Sequence, residues 1–220
     1  MHLLSRADQI AEVLREEITS LQREPGSALV RSELIDLFGT SSTPLREAIM
    51  RLEQEDLVRV YPQHATRITR INLGAARRVQ FQRRAMDLEV IEQHCLAPIG
   101  GMVELLRDEI VKQRAAVEAM DLAALVVLDD AFHRLLYDAF DLAPLLDNLR
   151  QMSGHMNRVR RLALPDPNKP KEIVDQHESI VDAIAACDIS AARAATRAHL
   201  TNSLAAAEQL RMTRPEIFEG

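Results

Sequence analysis

The sequence is poor in aromatic residues and in cysteine: it has no tryptophan and only two cysteines, Cys95 and Cys187, among 220 residues. Two cysteines are too few for the disulfide framework of a secreted protein, which favours a reducing compartment. The sequence also lacks an apolar run long enough to cross a membrane, and its first residues are charged and helix-periodic, unlike a signal peptide. We therefore expect a cytoplasmic protein with no membrane partner.

An excess of positive charge is also missing. The formal net charge is -6 at pH 7, and residues 1–72 contain nine arginines and no lysine against eleven acidic residues. Bulk charge therefore does not identify a nucleic-acid-binding protein, and any contact with DNA must come from arginines that are placed locally.

Apolar residues, by contrast, are plentiful. They make up 47% of the chain, which is enough for one large hydrophobic core or two modest ones. A short break near residue 73 separates two patterns of periodicity. We expect a smaller domain over 1–72, an all-helical domain over 73–212 and a C-terminal tail over 213–220.

The N-terminal part combines helical periodicity with one segment of period two. Three helices are predicted over 7–21, 31–38 and 43–54. Thr43 is the expected N-cap of the third helix, with Pro44 at its first position. Alternation from Val58 to Ile71 around a turn predicts a two-stranded hairpin. Three helices followed by such a hairpin are typical of a winged helix-turn-helix.

The third helix of this motif is the element expected to enter the major groove of DNA. It packs one face against the second helix, which leaves Arg46, Glu47 and Met50 toward the major groove of DNA. The hairpin, or wing, can approach the neighbouring minor groove. The alternative is a small helical subdomain whose hairpin makes protein contacts.

Four short motifs run through this part of the chain: Glu24-Pro-Gly, Ser32-Glu-Leu, Phe38-Gly-Thr-Ser-Ser-Thr-Pro-Leu-Arg-Glu-Ala-Ile and Arg51-Leu-Glu-Gln-Glu-Asp-Leu-Val. They resemble the DNA-binding domain of the GntR family of transcription regulators. The resemblance implies that Thr43 and Arg46 contact operator phosphates or bases. The family usually has arginine in place of Ser32 and Ser42 and glycine in place of Ala65, which leaves room for a different operator half-site.

The candidate DNA-binding residues come from the second helix, the third helix and the wing. They are Ser32, Ser42, Thr43, Arg46, His64 and Arg67.

After residue 73 nearly every segment has helical periodicity. Helices are predicted over 75–97, 101–120, 122–140, 143–162, 171–186 and 189–211, separated by Pro, Gly, Asp or Asn. The predicted fold class is therefore mainly α, with an N-terminal winged helix-turn-helix followed by an all-α antiparallel bundle of six helices, or six to seven.

Four side chains in this bundle have the spacing of metal ligands. Asp129 and His133 are spaced i,i+4 on one helix face, close enough to share an ion. His177 and His199 lie eleven residues before and after Asp188, in a predicted tight turn. Two antiparallel helices would bring both histidines to the same height, roughly 16 Å from that turn at about 1.5 Å per residue. Three imidazoles and a carboxylate suit zinc, nickel, manganese or iron, with coordination positions left open.

The segments around these residues, and Arg83-Arg84-Ala-Met-Asp87, resemble the FCD-type ligand-binding domain of the FadR branch of GntR regulators. In the metal-binding members of that branch the four positions hold the ion. The resemblance also places Arg83 near the ligand pocket, with Arg158 as a second candidate for effector binding. An arginine facing a metal with open positions can clamp a carboxylate, so we expect a small organic acid or sugar acid as effector.

The expected function is a ligand-responsive transcription regulator, with repression relieved by ligand as the commoner arrangement. A homodimer would place two recognition helices about one DNA turn apart on a palindromic operator, and effector binding would change their relative orientation. A metal-dependent hydrolase is the alternative from another class, although it lacks a recognisable general base, so we expect no enzyme. A DNA-binding protein that senses no ligand is the third interpretation.

Overall fold

The computed structural model describes residues 5–61, 65–163 and 166–219, and most of them are helical. The elements in chain order are α1 (Arg6–Thr19), β1 (Ala28–Leu29), α2 (Arg31–Phe38), α3 (Ser42–Gln54), β2 (Val58–Tyr61), β3 (Ala65–Ile68), α4 (Leu73–Leu96), α5 (Met102–Glu118), α6 (Leu122–Asp138), α7 (Ala143–Gln151), α8 (Gly154–Ala163), α9 (Lys169–Ala185), α10 (Ile189–Thr213) and a short 3-10 helix, Pro215–Ile217. The predicted fold class is confirmed. None of the helices in these ranges is long and apolar enough to cross a membrane.

The three N-terminal helices bury one face each, as their periodicity predicts. In α3 the buried residues are Leu45, Ala48, Ile49 and Leu52, which pack with apolar residues of α1, α2 and the sheet. The helix begins at Ser42, with Ser41 at the N-cap position. The expectation that Thr43 caps the helix is therefore wrong. Pro44 fits inside the first turn because N–H groups there have no partner within the helix.

The sheet has three strands rather than the two that were expected. Its order is β1-β3-β2, and both pairings are antiparallel, with Arg59 opposite Arg67 in the wing. Strand β1 contains only two residues, too few to give a period-two pattern in the sequence. The wing tip, Pro62 to His64, lies outside the described residues.

The predicted helix over 143–162 is two helices, α7 and α8, because the chain breaks at Met152 and Ser153. Helices α4, α5, α6, α7, α9 and α10 contribute to one apolar core, which includes Leu106, Phe132 and Val181. A tight turn joins α9 to α10, and Cys187 in that turn has a positive φ of 53°.

By packing, the chain divides into two compact units. The first contains the described parts of Met1–Ala76, Gln151–Arg161 and Ala207–Gly220, and the second contains Arg77–Arg150 and the described part of Leu162–Ala206. Most of α8 and the C-terminal segment therefore pack with the winged helix-turn-helix. The domains predicted from sequence, 1–72, 73–212 and 213–220, are each one continuous stretch of chain, and these boundaries stay a prediction.

Two close contacts hold the added segments in the first unit. A parallel bridge pairs Ile71 with Phe218, with hydrogen bonds from Ile71 N to Ile217 O (2.9 Å) and from Glu219 N to Ile71 O (3.0 Å). Gly154 begins α8 directly against Leu57, because a Cβ added at Gly154 would lie 2.4 Å from Leu57 Cδ2. Only glycine permits this approach.

We expect Gly154→Ala to lower the free energy of unfolding by roughly 1–2 kcal/mol, because the overlap with buried Leu57 outweighs the better helix propensity of alanine. Chemical denaturation measures the change. Gly100→Ala is the matched control, since a Cβ there meets no atom within 4 Å. Equal stability of the two variants would contradict the close packing of α8.

Candidate metal centre and DNA-reading surface

Four predicted metal ligands meet inside the second unit. Helix α6 carries Asp129 and His133, α9 carries His177 and α10 carries His199. One ligand atom from each residue lies within 4.8 Å of the others. Asp129, His133 and His177 are buried, and His199 is partly buried.

The distances within this cluster are those of groups that face one another. His133 Nε2 lies 3.3 Å from His199 Nε2, and His177 Nε2 lies 3.5 Å from Asp129 Oδ1. Two ligand atoms bound to one ion at about 2.0–2.1 Å are about 3.3 Å apart at a tetrahedral angle. The His177 and His199 rings, from the two arms of the α9–α10 hairpin, have centroids 4.5 Å apart.

Two glutamines orient the imidazoles. His177 Nδ1 contacts Gln113 Oε1 at 2.8 Å, and His199 Nδ1 contacts Gln176 Oε1 at 3.2 Å. Gln113 is fully buried and donates from Nε2 to the Leu128 carbonyl, which fixes its amide. A carbonyl oxygen on Nδ1 favours the tautomer that leaves a lone pair on Nε2, toward the cluster. Sequence reasoning missed both glutamines, because no spacing links Gln113 to His177.

Phe132 and Asp87 complete the surroundings. The Phe132 ring stacks on His177 at a centroid distance of 4.1 Å. Asp87 Oδ2 lies 4.0 Å from His133 Nδ1, and Asp87 Oδ1 accepts a hydrogen bond of 2.5 Å from the hydroxyl of Tyr137. Burial raises the pKa of Asp87, an effect that Arg83 and Tyr137 oppose.

The electrostatics keep His133 neutral. Burial lowers the pKa of His133 well below its ordinary value, and the positive charge of Arg83 lowers it further. Metal ions bind the neutral imidazole. His133 is therefore in a protonation state in which it can donate a lone pair at neutral pH.

The donor set fits a divalent transition metal. Imidazole and carboxylate are ligands of zinc, nickel, manganese and iron, and a four-residue set with one partly exposed member can leave positions open on a six-coordinate ion. Buried imidazoles beside a buried carboxylate, with glutamines on their outer nitrogens, have the arrangement of ligands and orienting partners that metal sites use.

The two arginines expected to bind an effector lie in different places. Arg83 donates from Nε to Asp87 Oδ2 at 3.3 Å, with 16% of its side chain exposed. A small, mainly apolar cavity beside the cluster is lined by Asp87, His133, Tyr137 and Thr196 together with Val90, Ile91, Leu136 and Ile180. Arg83 is thus close to the cluster through Asp87.

Arg158 belongs to the first unit, where it is fully buried and donates from Nη1 to the Thr69 carbonyl at 2.6 Å. Its guanidinium is occupied by groups of that unit. A role for Arg158 in effector binding stays a prediction, and the structure places its guanidinium on Thr69 and His155 instead of leaving it open to a ligand.

The predicted DNA-reading residues form an exposed surface on the first unit. Ser32, Ser42, Thr43, Arg46 and Arg67 are all exposed. Among the described residues Arg46 takes part in no ion pair or hydrogen bond, whereas Arg67 donates to the Gly26 carbonyl at 3.0 Å. His64 lies outside the described residues.

The face of α3 opposite its buried side carries Arg46, Glu47 and Met50, all exposed. Arg51 is instead paired with Asp8 of α1. A free guanidinium on a helix face is suited to bidentate contact with guanine in the major groove.

Comparisons with known proteins agree with this architecture. Residues 6–68 match the model of the bacterial regulatory proteins of the gntR family, and residues 78–202 match the FCD domain. The chain is 33% identical over 205 residues to an HTH-type transcriptional regulator in an unstable DNA locus of Streptomyces ambofaciens, covering 93% of this chain and 86% of that protein. It is 27% identical over 210 residues to the HTH-type transcriptional repressor RspR of Escherichia coli, covering 96% and 92%.

The fold is shared with a solved structure. The E. coli protein McbR/YncC superposes with a TM-score of 0.78 at 18% identity, over 94% of this chain and 100% of that one. The two family models and both relatives are of transcription regulators rather than enzymes, which removes the hydrolase alternative. The chain belongs to the GntR family of DNA-binding transcription regulators, with a gntR-type DNA-binding domain and an FCD domain.

Proposed function

We propose that the protein is a ligand-responsive repressor whose FCD domain binds a divalent transition metal and a small organic acid or sugar acid. The observation that carries this proposal is the cluster of Asp129, His133, His177 and His199, whose ligand atoms lie within 4.8 Å of one another. The name of the relative RspR, a repressor, supports the sign of regulation.

The four residues of the cluster would hold the ion, with zinc, nickel, manganese and iron as candidates. When bound, the metal supplies a Lewis acid that takes an oxygen of the effector. Gln113 and Gln176 hold the imidazoles of His177 and His199 in the orientation that ligation requires.

Arg83 would bind the carboxylate of the effector. Its Nε is held by Asp87, which leaves the two terminal nitrogens of the guanidinium for an anion.

The first unit would read a palindromic operator as part of a homodimer. Arg46 on α3 would contact bases in the major groove, while Ser32, Ser42, Thr43 and Arg67 would contact phosphates or groove edges. The exposure of these residues and the absence of an ion partner for Arg46 among the described residues support this assignment.

We expect the chelator-treated protein to bind Zn²⁺ in isothermal titration calorimetry, and we expect His177→Ala to weaken binding by about 100-fold or more, because even loss of an orienting partner costs about 10–100-fold. His94→Ala is the matched control, since His94 is also buried in the second unit but contacts the Leu136 carbonyl at 3.0 Å rather than the cluster. Equal Zn²⁺ affinity of both variants would rule out the proposed site.

For the effector, we expect at least one member of a panel of mono-, di- and tricarboxylates and aldonates to raise the melting temperature of the Zn²⁺-loaded protein. A ligand at 100 times its Kd stabilises by about 2.7 kcal/mol. Arg83→Met should abolish the shift without changing Zn²⁺ affinity, whereas Arg107→Met, an exposed arginine paired with Asp182, should keep it. A shift that survives in Arg83→Met would show that another group binds the acid.

For DNA, a duplex selected from a random pool by the wild-type protein serves as probe. Arg46→Ala should weaken binding by about 1–3 kcal/mol, the contribution of one bidentate base contact, and relax the preference at one position of each half-site. Arg107→Ala removes the same charge from the second unit and should leave affinity nearly unchanged. If the two variants weaken binding equally in a mobility-shift titration, Arg46 reads no base.

A further inference from the structure

Helix α8 carries a buried cation inside the DNA-reading unit. The Arg158 guanidinium is fully buried, and burial lowers its pKa to about 10, so it stays charged at neutral pH. A buried charge is costly unless hydrogen bonds surround it. Its position therefore depends on the groups that it contacts.

Two of these groups belong to Thr69 at the base of the wing, and another is the imidazole of His155 on α8. Besides its 2.6 Å bond to the Thr69 carbonyl, Arg158 donates from Nη2 to Thr69 Oγ1 at 3.2 Å and to His155 Nδ1 at 2.8 Å. Thr69 directly follows β3, the returning strand of the wing. Arg158 thus holds the point at which the wing rejoins the rest of the unit.

The same network reaches the end of the recognition helix. Thr69 Oγ1 donates to the Asp56 carbonyl at 2.6 Å, and His155 Nε2 lies 3.1 Å from Asp56 Oδ2. Asp56 lies two residues beyond the end of α3. His155 Nδ1 also accepts from the Asn72 N–H at 3.0 Å, at the start of the chain that leads into α4.

We infer that Arg158 is a positioning residue for DNA recognition, which fixes the wing relative to recognition helix α3 so that both can contact one operator half-site. This inference rests on the proposed use of α3 in the major groove and of the wing in the minor groove. Arg158 lies outside the sequence of the winged helix-turn-helix, and its full burial keeps its side chain from the surface that would face a duplex. Arg158 would act by fixing the angle between α3 and the wing, so that the major-groove and minor-groove contacts form on the same duplex.

The test compares Arg158→Met with Arg161→Met on the selected duplex. Arg161 lies on the same helix and pairs with Glu16 of α1 at 3.4 Å, so this control removes the same charge from α8 without touching the wing. Dimethyl sulfate reports each groove separately, because it methylates guanine N7 in the major groove and adenine N3 in the minor groove.

We expect Arg158→Met to lose protection of adenine N3 and to bind the duplex about tenfold more weakly, the scale of one lost groove contact, while guanine N7 stays protected. Arg161→Met should protect both positions. Protection of adenine N3 by Arg158→Met as strong as in the wild type would overturn the inference. Absence of minor-groove protection in the wild type would instead contradict the proposed docking of the wing.

Thr69→Val provides a second variant in case Arg158→Met does not fold. It keeps the backbone carbonyl bound by Arg158 but removes the hydroxyl that links Arg158 to Asp56. A smaller but equally selective loss of adenine N3 protection in Thr69→Val supports the inference. Unchanged adenine N3 protection in a folded Thr69→Val protein counts against it. Zn²⁺ affinity equal to wild type in both variants shows that the second unit is intact.

Discussion

Burial of polar groups among helices is the constraint on which the second unit depends. A carboxylate and an imidazole removed from water lose hydration that apolar neighbours cannot replace. Asp129, His133 and His177 are each buried in this unit, beside an apolar core that includes Phe132. Each imidazole must therefore find its hydrogen bonds from other helices, and Gln113 of α5 supplies one for His177.

The first unit meets the same constraint with a different result. Arg158 is buried as a cation, and its partners are the Thr69 carbonyl, the Thr69 hydroxyl and His155. The bonds to Thr69 connect α8 to the end of β3, and His155 extends the connection to Asp56, two residues before β2. In the first unit the buried polar groups thus join separate segments of the chain. In the second unit they bring four candidate ligand atoms close together.

Along the chain, α8 interrupts the helices of the second unit. The chain passes from α6, with Asp129 and His133, through α7 to α8, and then on to α9 with His177. Most of α8 packs in the DNA-binding unit, while α6, α7 and α9 pack in the other. The chain therefore passes from one unit to the other near each end of α8, in addition to its crossings within α4 and α10.

Local patterns in the sequence determined much of this protein. Apolar periodicity predicts the helices and the wing, and the spacing of Asp129, His133, His177 and His199 indicated one cluster, because i,i+4 spacing and a symmetric hairpin are local geometry. Only the tertiary structure decided that α8 separates from α7, that Gln113 orients His177 and that Arg158 holds Thr69. Those contacts join residues 64 and 89 positions apart. Periodicity identifies the face a side chain occupies, but packing across the chain decides which partner it meets.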